Sequence, residues 1–549
     1  MERYRRDIDG LRALAVVSVL LYHAGVKRLG GGYVGVDVFF VISGYLITAY
    51  IDEKLRDGKF RLVEFYERRV RRIVPALLFL LIVCAGLGYL LLLPNQLYNL
   101  SQSEIATVLF APNILLYKQA RYFDAAVKLK PLLHMWSLGV EEQFYIFLPL
   151  TMMLIWRGRR RHMKVALCAI WACSLVLSIW AVKTRPSAAF YLLPFRAWEL
   201  LLGSLLAVRV VPKLANGLLR NILAVLGVLL ILLALFVYSP ETLFPGAAAI
   251  LPCFGTAMAI YANEDGSTWM GRVLSLPPLV GIGLISYSLY LWHWPVLVLG
   301  EQLRVRPLTG IETGIAVLLS FAAAIASWKF VEQPFRTKVL GRSRRQLFSI
   351  PSLAGAFVIL LGIIGFAGRG LPWRFPRPAL QYACGSQDRD AELAGCASNM
   401  KAIRSGQLCQ IGASESGRID FAVWGDSHAE ALSPAFKELA NDIGVAGWVA
   451  NHPKCAPLLG VSRSHAAMCS SFNEEVISAI EHKDIPIVFL VGRWEGNALG
   501  PTKWESQEGR PAISLLDEQS KEISPAETRA VFERGLSGHF RVSDTRGEP

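Results

Sequence analysis

Charge is scarce in this sequence. Only 18% of its 549 residues are Asp, Glu, Lys or Arg, whereas 53% are hydrophobic, and the mean hydropathy is +0.39. A soluble chain of this length carries more charge and does not gather its apolar residues into blocks of about 20. That shortage excludes a wholly soluble protein. An internal repeat at fixed spacing is also missing, which removes support for a transporter built from duplicated halves. The charge that remains sums to +14, but Lys and Arg cluster briefly between apolar blocks. Membrane topology accounts for that pattern, and no nucleic-acid partner is expected.

Long apolar runs are what the sequence does have. About eleven blocks are long enough to cross a bilayer, at 10–26, 32–52, 73–93, 136–156, 165–183, 190–209, 219–238, 243–262, 279–300, 309–332 and 350–369. The stretch 98–118 is apolar but ends in polar residues, as an interfacial or re-entrant segment would. The first block could pass for a secretory leader, yet it carries charge within the run and leads straight into another span, so it is read as an uncleaved helix. After Leu371 the composition turns polar and cysteine-bearing. The expected fold is a polytopic α-helical membrane domain followed by a soluble domain.

Orientation follows from the cations. With the N-terminus in the cytoplasm, roughly 25 Lys and Arg fall in inside loops and roughly 10 in outside membrane loops. The dense inside clusters are Arg68–Arg72, Arg157–Lys164 and Arg336–Arg345. An odd number of crossings then puts the tail outside. Cys84, Cys168, Cys173 and Cys253 lie in spans and read as small apolar residues. Cys384, Cys396, Cys409, Cys455 and Cys469 lie in the tail, where an oxidising compartment lets them pair. The expected pairs are Cys396–Cys409 and Cys455–Cys469, with one cysteine left over.

Ionisable residues within spans are costly and usually functional. The first run, DGLRALAVVSVLLYHAG, holds Arg12 and His23 eleven positions apart. On a helix these point the same way, about 16 Å apart, so they cannot touch each other but one long ligand could touch both. His23, Asp37, Glu141, Glu142, Arg196, Glu199 and His293 come from five spans yet share the outer half of the membrane. Arg12, the Arg68–Arg72 cluster, and Glu332 with Arg336 lie on the inner side. One reading is a set of ion pairs gluing a bundle, such as Arg196 with Glu199 one helical turn away. The other is a polar cavity with a cationic inner mouth suited to phosphates.

Several ordered motifs then carry a resemblance. YRRDIDGLRALAVVSVLLYHAG, GGGYVGVDVFFVISGYLIT (Gly30–Thr48), RRVRRIVPA (Arg68–Ala76) and HMWSLGVEEQFYIFLP (His134–Pro149) resemble the membrane-bound acyltransferase-3 family. So do FRAWELLLGSLLA (Phe195–Ala207), ISYSLYLWHWP (Ile285–Pro295) and FVEQPFR (Phe330–Arg336). The resemblance implies an O-acyltransferase, moving an acyl group, usually acetyl, from cytosolic acyl-CoA to a carbohydrate across the membrane. Acetyl-CoA is thus the implied donor substrate, and no metal is expected. His23 becomes the candidate catalytic residue and Arg12 its motif partner. Arg12, Arg68, Arg69, Arg71 and Arg72 are assigned to the donor, and Arg196, Glu199 and His293 to the acceptor. His23 could act as general base or take the acyl group itself, oriented by Asp37, Glu141 or Glu142.

In the tail, IDFAVWGDSHAEAL (Ile419–Leu432) reads as strand, tight turn and helix, and resembles the nucleophile block of an SGNH-type domain, with Ser427 as nucleophile. IVFLVGRWEGN (Ile487–Asn497) resembles a later strand block of the same fused subgroup. An Asp-x-x-His base motif is missing after Ser427, so this domain is expected to be incomplete and its catalysis doubtful. The expected organisation is 1–345 acyl-transfer membrane domain, 346–372 last span and linker, and 373–549 SGNH-like domain. The chain would reside in a bacterial inner (plasma) membrane, in contact with the lipid bilayer, acyl-CoA and an envelope glycan such as lipopolysaccharide O-antigen, peptidoglycan or exopolysaccharide. A glycan or acyl-carrier flippase, with His23 in a proton relay, is the alternative from another class.

Overall fold

The computed structural model describes residues 4–119, 129–156, 160–264 and 268–376. Beyond these it describes 380, 393, 397–405, 407, 409–413, 417–453, 455–463, 468–494, 498, 515–520 and 524–544. The chain divides into two compact units, Met1–Pro376 and Arg377–Pro549.

The first unit is entirely helical among its described residues: α1 (Arg6–His23), α2 (Gly35–Arg56), α3 (Leu62–Leu91), α4 (Pro94–Val108), α5 (Pro112–Gln119), α6 (Met135–Ile155), α7 (Arg160–Thr184), α8 (Pro186–Tyr191), α9 (Leu193–Ala207), α10 (Gly217–Val237), α11 (Ile250–Ala262), α12 (Trp269–Leu274), α13 (Pro277–Arg304), α14 (Gly310–Ser327), α15 (Gln333–Arg336) and α16 (Arg344–Ala367). Nine helical segments among the described residues are long and apolar enough to cross a membrane. Two of the eleven expected spans fall outside that set. The first, α1, holds Arg6, Asp7, Asp9 and Arg12 in its N-terminal half. The other, α11, has only 13 residues, about 20 Å of helix. The apolar 98–118 stretch resolves into α4 and α5, separated at Leu109–Ala111, where Phe110 has a positive φ of 53°. Exposed leucines and phenylalanines such as Leu318, Phe330, Leu353 and Leu360 line the outer helices. Such apolar surface belongs in a bilayer, and the protein is a membrane protein.

Glycine sets how closely the inner helices approach. A Cβ at Gly283 of α13 would lie 2.0 Å from the Asp9 carbonyl oxygen of α1, and one at Gly44 of α2 would lie 1.8 Å from that of Leu200 on α9. Only a residue without a side chain permits such contacts, the usual device for packing helices in lipid. As a result α1, which carries Arg12 and His23, packs closely on α13, and α2, which carries Asp37, packs closely on α9.

The second unit is α/β. A four-stranded mixed sheet runs β1 (Cys409–Gly412), β3 (Ala446–Asn451), β2 (Phe421–Gly425), β5 (Ile487–Val491), with β2 parallel to both neighbours and β1 antiparallel at the edge. Between the parallel strands run α18 (Ser427–Ile443) and α19 (Met468–His482), numbered after the short α17 (Met400–Arg404). Strands β4 (Ser462–Arg463) and β6 (Leu515–Leu516) pair separately, and α20 (Pro525–Asp544) follows. Both central strands are buried along their whole length, as parallel strands covered on two faces must be. Cys455 and Cys469 form the expected disulfide. Cys409 is also disulfide-bonded; its expected partner Cys396, and Cys384, lie outside the described residues.

Candidate active site

A cleft of about 740 Å³, counted with the open space at its mouth, lies between α1, α2, α3, α6 and α13. Three arginines line it: Arg12, Arg69 and Arg72. Arg12 has one long ion pair, 3.5 Å to Asp9. Arg69 stacks over the Tyr145 ring at 4.1 Å. Among the described residues Arg69 and Arg72 form no ion pair with a carboxylate. Glu141 lines the same cleft, and its Oε1 accepts hydrogen bonds from the Ser43 and Tyr145 hydroxyls. Glu142 is buried, within electrostatic reach of Arg69 and Arg72, with one oxygen unpaired among the described residues. The side chains carry a surplus of cation over anion, and guanidinium forks match phosphate geometry.

The other two arginines of the cluster leave the cleft. Arg68 is exposed and stacks over Tyr50 at 5.0 Å. Arg71 is tied to Glu67 at 3.0 Å and to the Gly341 carbonyl at 2.8 Å. Helical geometry explains the division, because side chains three apart share a face and those one or two apart do not. A run of four arginines in five positions cannot point one way.

His23 does not line the cleft. Its Nδ1 lies 3.0 Å from Nε2 of His293, and the Trp294 ring packs edge-on at 4.5 Å. Nδ1 of His293 in turn lies 2.7 Å from the Tyr290 carbonyl oxygen. The group that meets His23 is therefore a second histidine, where the sequence pointed to Asp37, Glu141 or Glu142. His134, absent from the sequence-derived site, packs edge-to-face on His293 and bonds through Nε2 to the Leu291 carbonyl at 3.1 Å. Tyr290 joins the two halves: its side chain lines the cleft, and its hydroxyl donates to the His134 carbonyl at 2.9 Å. Both residues stand inside motifs already visible in the sequence, but only their spatial contact marks them.

Asp37 is held elsewhere. Nη1 of Arg196 donates to Asp37 Oδ1 at 2.9 Å and to Glu199 Oε1 at 2.7 Å, with all three side chains at most 1% exposed. Phe40, Trp136, Phe190 and Phe244 surround the guanidinium at 5.2–5.7 Å. So enclosed, Arg196 and Glu199 cannot meet an acceptor sugar, and the ion-pair reading applies to them. Asp37, Glu199 and Cys253 also gather their donor atoms within 4.8 Å, with the Arg196 guanidinium supplying the local positive charge.

In the second unit, the strand, turn and helix around Ser427 form as read. Asp426 caps α18, with Oδ1 accepting from His428 N at 2.9 Å and Oδ2 from Arg493 N at 2.9 Å. Ser427 is exposed at the carboxyl end of β2. From β2 the chain crosses to β3 on one side, and from β3 to β5 on the other, so Ser427 occupies the switch point where open α/β sheets bind ligands. His428 bonds Asp426 through Nδ1 at 3.1 Å.

A helical membrane unit followed by an α/β unit is the architecture of the membrane-bound acyltransferase family with a fused SGNH domain. Residues 5–329 match the acyltransferase domain and residues 395–536 the SGNH domain that occurs fused to it; the chain belongs to this acyltransferase family. It is 32% identical over 392 residues to the O-acetyltransferase OatA of Staphylococcus aureus (strain COL), covering 67% of this chain and 64% of that protein. Against OatA of Staphylococcus aureus (strain MRSA252) it is 33% identical over 351 residues, covering 61% and 58%. The match thus spans less than two thirds of these relatives' own length. No solved structure matches the chain.

Proposed function

We propose that this protein is an O-acetyltransferase that takes an acetyl group from cytosolic acetyl-CoA and transfers it to a hydroxyl of a cell-envelope carbohydrate. The observation that carries this reading is the cleft of Arg12, Arg69 and Arg72, three cations with little carboxylate to balance them. These would hold the donor's phosphates, while the acyl end reaches toward His23 further along α1. His23 would then remove the proton from the attacking hydroxyl, or receive the acyl group first. In this reading residues 1–345 form the acyl-transfer domain, 346–372 the last span and linker, and 373–549 the SGNH-like domain. The membrane is the bacterial inner membrane, with the N-terminus cytoplasmic and the tail outside. Similarity to proteins named O-acetyltransferase supports the choice of acetyl.

The test is the O-acetyl content of the host's surface glycan, measured by NMR in strains carrying His23→Ala or Ser427→Ala. Loss of acetylation in His23→Ala, with the glycan still displayed outside, is the expected result. Acetylation untouched by His23→Ala but abolished by Ser427→Ala would move the chemistry to the tail. The exposed position of Ser427 supports that second reading.

A further inference from the structure

We propose that His293 is a positioning residue that sets the tautomer of His23, placing the proton on Nδ1 and leaving Nε2 bare. The inference rests on reading His23 as the acyl-transfer residue. It starts from the Tyr290 carbonyl, 2.7 Å from His293 Nδ1. A backbone carbonyl can only accept, so that nitrogen carries hydrogen. His293 is fully buried, and among the described residues no carboxylate pairs with it. A second proton would be an uncompensated buried charge, costing several kcal/mol. The ring is therefore neutral, and its Nε2 offers a lone pair.

That lone pair faces His23 Nδ1 at 3.0 Å. The ring planes differ by 13° and the centroids are 5.2 Å apart. With nitrogens this close and centroids this far apart, the rings meet end to end in nearly one plane, where N–H points along a lone pair. His23 must supply the hydrogen. A neutral imidazole that donates from Nδ1 has an unprotonated Nε2, and His23 is only half-buried, so that nitrogen belongs to the reachable residue of the pair. Acyl transfer needs such a nitrogen, whether to take the acceptor's proton or to attack the thioester carbonyl. The opposite tautomer presents N–H and does neither. His134 takes no part, since its Nε2 is committed to Leu291 and its Nδ1 has no partner among the described residues.

The experiment uses the full-length protein in membranes, as wild type, His293→Leu and His293→Gln. With acetyl-CoA and host glycan, His293→Leu should lower kcat by about 10²–10⁴-fold at unchanged KM for the donor. His293→Gln, whose side-chain carbonyl can accept from Nδ1–H, should restore kcat to within about tenfold. Ring carbon and nitrogen chemical shifts of labelled His23, assigned against His23→Gln, should report the Nδ1–H tautomer in wild type and a mixture in His293→Leu. An Nε2–H tautomer in the wild type overturns the proposal, as does wild-type kcat in His293→Leu, or equal loss in both variants with the tautomer unchanged. If His23→Ala leaves acetylation intact, the parent reading fails separately, while the shifts still decide the tautomer.

Discussion

Gly283 and Asp9 touch backbone to backbone: a Cβ on Gly283 would sit 2.0 Å from the Asp9 carbonyl oxygen. This contact sets the distance between α1 and α13, the helices that bring His23 and His293 together. Gly283→Val is expected to cost about 1–3 kcal/mol of stability through overpacking, and to part the histidine pair. Gly281, with nothing near its Cβ position, supplies the control. The thermal midpoint in detergent should fall for Gly283→Val and stay unchanged for Gly281→Ala, with glycan acetylation following the same order.

The arginine cluster divides into ligand and structure. Arg72→Gln should raise the KM for acetyl-CoA about 10–100-fold, the worth of roughly 1.5–3 kcal/mol in charge-assisted hydrogen bonds, with little effect on unfolding. Arg71→Gln should do the reverse, because Arg71 ties α3 to the Gly341 carbonyl. Steady-state kinetics beside thermal unfolding distinguishes the two; a shared KM effect would refute the division.

Arg196→Met leaves Asp37 and Glu199 buried without their counter-ion, a change expected to cost about 3–5 kcal/mol. The triple variant Arg196→Met, Asp37→Asn, Glu199→Gln should recover most of that loss. Yield of folded protein and thermal midpoint measure both. Were Arg196→Met folded normally with only the acceptor KM changed, the site would be for substrate after all.

In the second unit, hydrogen bonds from Arg534 at 2.6 and 3.0 Å hold the Asp517 carboxyl below its usual range, helped by Ser520. A carboxylate with a depressed folded pKa stabilises the fold above its unfolded value of about 3.9 and loses that contribution as pH falls through the folded value. Asp517→Asn should therefore flatten the acid limb of the unfolding curve. The comparison is thermal scans of the intact protein from neutral pH down through the carboxylate range.

Spans, soluble tail and the strand-turn-helix at Ser427 were legible because apolar run length and turn chemistry are local signals. The site was legible only in its residue types. Arg12, His23 and Glu141 were named from the sequence, but a helix shows which residues share its own face and not which neighbour each face meets. The partnership of His23 with His293 depends on α1 and α13 lying side by side, set by the contact of Gly283 with Asp9. Arg196 and Glu199 were three positions apart in sequence and formed the simple pair. That Asp37 would join them, and not His23, depends on the Gly44 contact between α2 and α9.

Tyr290 brings three of these contacts into one residue. Its side chain is wall to the cleft, its hydroxyl holds the loop before α6, and its carbonyl takes the hydrogen of His293. A molecule that shifted this turn of α13 by pressing on the ring would also move the carbonyl on which the proton order of the histidine pair depends. Occupancy of the cleft and readiness of the imidazole are then two readings of one turn of helix, so an inhibitor wedged against Tyr290 could silence His23 without touching it.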